Sequence, residues 1–157
     1  MARWKDDNLL KESRMREWFS PTGYIPFERN PSSGKYDFDG DVTRQMLSNF
    51  VAEDGDGFTV DFGKVTMDFD CSGLGLTSLK GAPQIVGGSF SCSGNYFTSL
   101  KGAPQKVGGY FNCSDNQLTS LEGAPKVVGG DFNCLRNPNL HSLDGIGEVK
   151  GRIIKGF

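Results

Sequence analysis

What the chain lacks narrows the field first. No apolar run approaches the ~18 residues that a membrane-spanning helix needs, and the start, Met1-Ala2-Arg3-Trp4-Lys5-Asp6-Asp7, has none of the apolar stretch of a signal peptide. The expectation is a chain that stays in the cytoplasm where it is made and has no membrane partner. Charge of one sign is also missing. Seventeen Lys and Arg face 19 Asp and Glu, a net charge of −2, so there is neither a basic field for nucleic acid nor a strongly acidic one for mimicking it. His141 is the single histidine, and no Gly-x-Ser-x-Gly elbow accompanies it. No Gly-x-Gly-x-x-Gly opens a helix to cradle a phosphate, and no Cys-x-x-Cys pair is spaced for zinc. These absences point to a protein that is not an enzyme and carries no cofactor.

What is abundant is glycine, 22 of 157 residues, roughly twice the usual share of about 7%. It is ordered by a repeat. Cys71, Cys92, Cys113 and Cys134 are 21 residues apart, as are Phe69, Phe90, Phe111 and Phe132, and so are Val65, Val86, Val107, Val128 and Val149. Ile153 continues the Phe series one step further. Phe and Cys are two apart, so alternation places both on one face of a short strand. Leu at five and eight residues beyond Cys returns to the same core, Gly-Ala-Pro turns the chain, and Gly-Gly leads into the next strand. One unit cannot bury its own apolar face, but stacked units put Phe on Phe and Cys on Cys in a continuous core, with one parallel strand per coil. Cysteines on separate coils are then packing groups, as free Cys usually is, and in a cytoplasmic chain they stay reduced.

The pattern Phe-x-Cys-x-x-Asn-x-Leu resembles the leucine-rich repeat, with Phe and Cys at two of its Leu positions. Asn116-Gln117-Leu118-Thr119-Ser120-Leu121 looks like the short bacterial leucine-rich repeats of secreted effectors. The whole unit, Leu-Thr-Ser-Leu-x-Gly-Ala-Pro-x-x-Val-Gly-Gly-x-Phe-x-Cys, is more similar to repeats in proteins of large tailed bacteriophages. The likeness covers about residues 60 to 157. It implies a phage accessory protein acting in the host cell. Leu74 departs from the pattern where an Asn column (Asn95, Asn116, Asn137) should begin, and Pro138-Asn139 adds a residue that a shorter Asp144-Gly145-Ile146-Gly147 turn takes back.

The predicted fold is therefore an α+β repeat protein, a leucine-rich-repeat-like solenoid with one parallel β-sheet and an α-helical N-terminal cap. Residues 65 to 157 form the solenoid. Residues 1 to 64 form the cap, with a degenerate first coil around Asp39-Gly40-Asp41-Val42. A helix is expected from Asp7 to Phe19, a loop over residues 20 to 35, a second helix from Thr43 to Val51, and a strand over Phe58 to Phe62. Asp37-Phe-Asp39-Gly-Asp41 and Asp54-Gly-Asp56-Gly57 look like fragments of calcium loops. Neither has Glu at position 12 (Ser48 and Val65 stand there), so turn chemistry explains them better.

What remains is the solvent side of the strands. Asp68, Asp70 and Ser72 project there, then Ser89, Ser91 and Ser93, then Tyr110, Asn112 and Ser114, then Asp131, Asn133 and Leu135. In leucine-rich repeats this is the ligand face, and here the three Asp lend it an acidic character. Trp4, Trp18 and Phe19 are a second candidate contact patch. The function expected is non-catalytic binding of a host or viral protein through the strand face. Its rival is a structural component of a capsid or tail, which would place the protein in the virion.

Overall fold

The structure, a computed structural model, describes residues 11–17 and 27–157. Twelve short strands run through the described residues: β1 (Phe27–Arg29), β2 (Tyr36–Phe38), β3 (Phe62–Val65), β4 (Phe69–Asp70), β5 (Ile85–Val86), β6 (Phe90–Ser91), β7 (Lys106–Val107), β8 (Phe111–Asn112), β9 (Val127–Val128), β10 (Phe132–Asn133), β11 (Glu148–Val149) and β12 (Ile153–Ile154). The Phe strands stack as a five-stranded sheet in the order β12-β10-β8-β6-β4. All its pairs are parallel and match repeat to repeat, Phe69 to Phe90, Phe90 to Phe111, Phe111 to Phe132 and Phe132 to Ile153.

Where the sequence suggests one parallel sheet, two form. The Val column builds the second, seven-stranded in the order β1-β2-β3-β5-β7-β9-β11. Val is β-branched and suits an extended, half-buried backbone, and the Gly-Gly pair after it lets the chain corner into the Phe sheet. The corner admits nothing larger. A Cβ on Gly108 would collide with the Gly87 carbonyl oxygen of the preceding coil.

Between the sheets lies a core of stacked columns. The rings of Phe69, Phe90, Phe111 and Phe132 follow one another at centroid spacings of 5.5, 5.4 and 5.2 Å, with interplanar angles of 4°, 8° and 18°. That spacing follows from the ~4.8 Å step between paired strands, and each buried ring contributes about 1.5–3 kcal/mol. Leu76 and Leu79, Phe97 and Leu100, and Leu118 and Leu121 fill the far side of the core, all essentially inaccessible.

The cap closes one end. Residues 11–17 are helical and bury Met15 completely, and the Tyr36 hydroxyl donates to Glu12 Oε1 at 3.1 Å. A short helix, Arg44–Leu47, is N-capped by Thr43 and buries Leu47. It stops short of the expected Val51, because Val51 instead bridges Phe58 antiparallel across the Asp54–Gly57 turn. Within the expected loop, β1 pairs antiparallel with β2 around Asn30, whose Oδ1 accepts the Ser32 N–H at 2.9 Å. The expected strand over 58–62 lies further on, at Phe62–Val65. Val42, in the segment read as a degenerate coil, bridges Phe69 in parallel.

At the other end the column changes character. Ile153 follows the fully buried phenylalanines at 42% exposure. The next inward position, level with Cys134, is Lys155, whose Nζ lies 4.6 Å over the Phe157 ring. An exposed lysine at an inward register position just past the terminal strand discourages further strand pairing.

Candidate functional site

The cysteine column is structural. Cys71, Cys92, Cys113 and Cys134 are free and buried, and the Cys71 and Cys113 thiols donate to the carbonyls of Ser91 and Asn133, each at 3.3 Å. Burial pushes all four thiols up, those of Cys92 and Cys113 well above the ordinary range. Because the thiolate is the reactive form, a thiol reagent at mildly alkaline pH is expected to leave Cys71, Cys92 and Cys113 unmodified in the native protein. Mass spectrometry across a denaturant series should show their labelling rising with unfolding. Rapid native labelling of Cys92 would disprove the packing role.

The aspartates of the two calcium-like fragments stitch the cap to the array. Asp37 Oδ1 accepts the Lys64 N–H at 2.8 Å, Asp39 Oδ1 the Thr66 hydroxyl at 2.9 Å, and Asp41 Oδ1 the Asp68 N–H at 3.0 Å. Asp54 Oδ1 accepts the Asp56 N–H at 3.0 Å within its own turn. Among the described residues, no group of three or more His, Cys, Asp and Glu is placed to hold a metal ion. His141 is exposed.

The row just before the Phe column continues the stitching. Asp68 Oδ1 accepts the Ser89 N–H at 2.7 Å, Ser89 Oγ the Tyr110 N–H at 3.1 Å, and Asp131 Oδ1 the Arg152 N–H at 2.8 Å. Each side chain thus binds the backbone of the next coil. At Tyr110 the stitch is missing. Its ring is 50% exposed, and its hydroxyl has no protein partner among the described residues.

The row inside the strands is used locally. Asp70 Oδ1 accepts from the Ser72 N–H at 3.0 Å and hydroxyl at 2.6 Å, Asn112 Oδ1 from Ser114 N at 3.1 Å, and Asn133 Oδ1 from Leu135 N at 3.0 Å. These are side chain-to-backbone turns that end the strand. The Nδ2 donors of Asn112 and Asn133 have no partner among the described residues. Ser91 Oγ lies 3.4 Å from Ser93 Oγ. Leu135 is half-buried, whereas Ser114, placed on the solvent side by alternation, is buried. Asp68, Asp70, Ser89, Ser91, Tyr110, Asn112, Asp131, Asn133 and Leu135 therefore share one sheet face, although most of their acceptor oxygens serve the fold. Trp4, Trp18 and Phe19 lie outside the described residues.

No protein family, curated protein or solved structure matches the chain. The site rests on its own geometry.

Two ion pairs border this face, and sequence reasoning passed over both. Arg136 grips Asp115 through Nε and through Nη2, the latter at 2.7 Å, and Arg152 grips Asp131 Oδ2 through Nη2 at 2.7 Å. The guanidinium bond holds each carboxyl below its ordinary range. The signal was in the sequence, because partners stand one repeat apart, 115 to 136 and 131 to 152. Asp115 and Arg136 also have positive φ, 56° and 52°, where Gly73 and Gly94 stand in earlier coils. Beside Arg136 opens a cleft of about 460 Å³, lined by Pro138, Leu140, His141 and Phe157 among others.

Proposed function

We propose that the protein is a non-catalytic binding module that presents the outer face of its five-stranded sheet to a protein partner. The observation that carries this reading is Tyr110. It is a half-exposed aromatic in the middle of a rigid sheet, in a row whose other side chains are engaged in holding coils together. Tyrosine supplies large contact area at little conformational cost and is a preferred anchor of interfaces. A face preorganised by stacked coils has little left to order when it binds. The phage resemblance of the repeat makes a host or phage protein the natural partner. Assembly into a virion through the sheet edge is the weaker reading, because Lys155 disfavours strand addition there. No helix among the described residues is long and apolar enough to cross a membrane.

The test is a tagged full-length bait in the infected or native host, with the captured protein quantified by mass spectrometry. Tyr110→Ala combined with Ser91→Arg changes the face and touches no core column. Capture should fall at least about tenfold, as expected for losing one interface hot spot. Lys106→Glu on the opposite sheet should leave it unchanged. A partner that survives the first pair and is lost with the second would place the interface on the Val sheet instead.

A further inference from the structure

Given that the strand face is the binding surface, we infer that its partner is an acidic, extended protein segment lying across the last three coils, with an apolar side chain seated in the cleft beside Arg136. The hydrogen-bond inventory carries this. On these coils both carboxylates beside the face, Asp115 and Asp131, are paired with arginine. Both carboxylate oxygens of Asp115 are held by Arg136, those of Asp131 by Arg152, and the Oδ1 atoms of Asn112 and Asn133 by backbone N–H groups. What has no partner among the described residues is mostly donors. These are the Nδ2 groups of Asn112 and Asn133, the Tyr110 hydroxyl, and the N–H groups that Arg136 and Arg152 do not spend on their carboxylates. Exposed Lys155 adds a cation at the C-terminal end of the array. Free carboxylate oxygen is confined to the cap end, at Asp68 and Asp70.

Backbone geometry agrees. A non-glycine residue at positive φ is uncommon, and for arginine it is strained. The early coils use glycine at this position, yet the last two place a charged pair there. Strain of this kind persists where the surrounding structure imposes it, characteristically at binding sites. The cleft opens at the C-terminal end of the core beside Arg136, and its walls of Cys134, Pro138, Leu140 and Phe157 leave room for an apolar side chain. Carboxylates on the guanidiniums and backbone carbonyls on the Asn amides complement this surface. A basic segment would meet the two guanidiniums and no carboxylate on this face of these coils that lacks an arginine partner.

The probe is a short fluorescent peptide alternating Glu with Leu, compared with one alternating Lys with Leu, both titrated into the full-length protein by anisotropy. The acidic peptide should bind at least about tenfold tighter, more weakly as salt rises, and should shift the Asn112 and Asn133 side-chain amide resonances. Asn112→Asp with Asn133→Asp keeps the oxygen that closes each turn, as Asp70 does in the first coil, so the fold is preserved while both donors become charges. Acidic-peptide binding should then fall by at least about tenfold. Equal or tighter binding of the Lys peptide to the native protein overturns the inference, as does an Asp double variant that binds the acidic peptide undiminished. If the bait still loses its partner on the Tyr110 change while the acidic peptide fails to bind, the acidic assignment is wrong and the face assignment stands. If neither responds, both are wrong.

Discussion

Phe111→Ala is expected to destabilise the protein by about 3–5 kcal/mol, the range for emptying a buried aromatic site. Its ring is stacked on Phe90 at 5.4 Å and Phe132 at 5.2 Å, so the deletion breaks the column in the middle and removes contacts from both neighbours. Stacked coils depend on their nearest neighbours, and parallel strands held at a fixed step cannot collapse into the gap. Urea unfolding followed by circular dichroism should show the midpoint falling sharply. Phe111→Leu should lose much less, because it keeps most of the volume. A small loss for the alanine variant would mean that the Phe column is not the backbone of the core.

Asn116→Ala should cost about 1–3 kcal/mol, the range for one buried polar group left without a partner. Asn116 Nδ2 donates to the carbonyls of Cys92, Cys113 and Ser114 at 3.1, 3.2 and 3.1 Å, and its Oδ1 accepts the Phe97 N–H at 3.2 Å. Alanine strands the Phe97 N–H in a site from which water is excluded, while the three carbonyls each lose one donor and keep another, from Asn95, Asn137 and the Gly94 N–H. The same measurement tests it, with a tolerated alanine as the contrary result. The geometry also explains why Leu74 begins the column. Each Asn serves the coil before its own, as Asn95 does by accepting from Leu74 and Leu76 and donating to Cys71. Leu74 has no regular coil before it.

Much of this was legible because a stacked repeat turns sequence period into spatial adjacency. Phe, Cys and Leu columns read directly as inward-facing, since identical residues 21 apart must meet when coils stack. The Val sheet was less legible. Its strands are mostly two residues long, too short to show alternation, so Val107 was evident as a recurring residue and not as a paired one. The short helix at Arg44–Leu47 misled for a related reason. Met46, Leu47, Phe50 and Val51 have helical spacing, but Val51 is claimed by its bridge to Phe58 across a glycine-rich turn.

The binding face shows the sharper limit. Alternation correctly put Asp68, Tyr110, Asn112 and Asp131 on one side of the strands, and it gave no information about which of their atoms remained free. Asp131 looked like exposed acid and is spent on Arg152, while Asn112 and Asn133 looked neutral and leave donors without a partner among the described residues. The sequence alone determined the period, the columns and therefore the solenoid, because burying repeated apolar residues has one economical solution. Only the tertiary structure decided the second sheet and the hydrogen-bonding character of the face. Whether a polar atom is spent or free depends on the backbone of the next coil, which lies 21 residues away in the chain and within hydrogen-bonding distance in space.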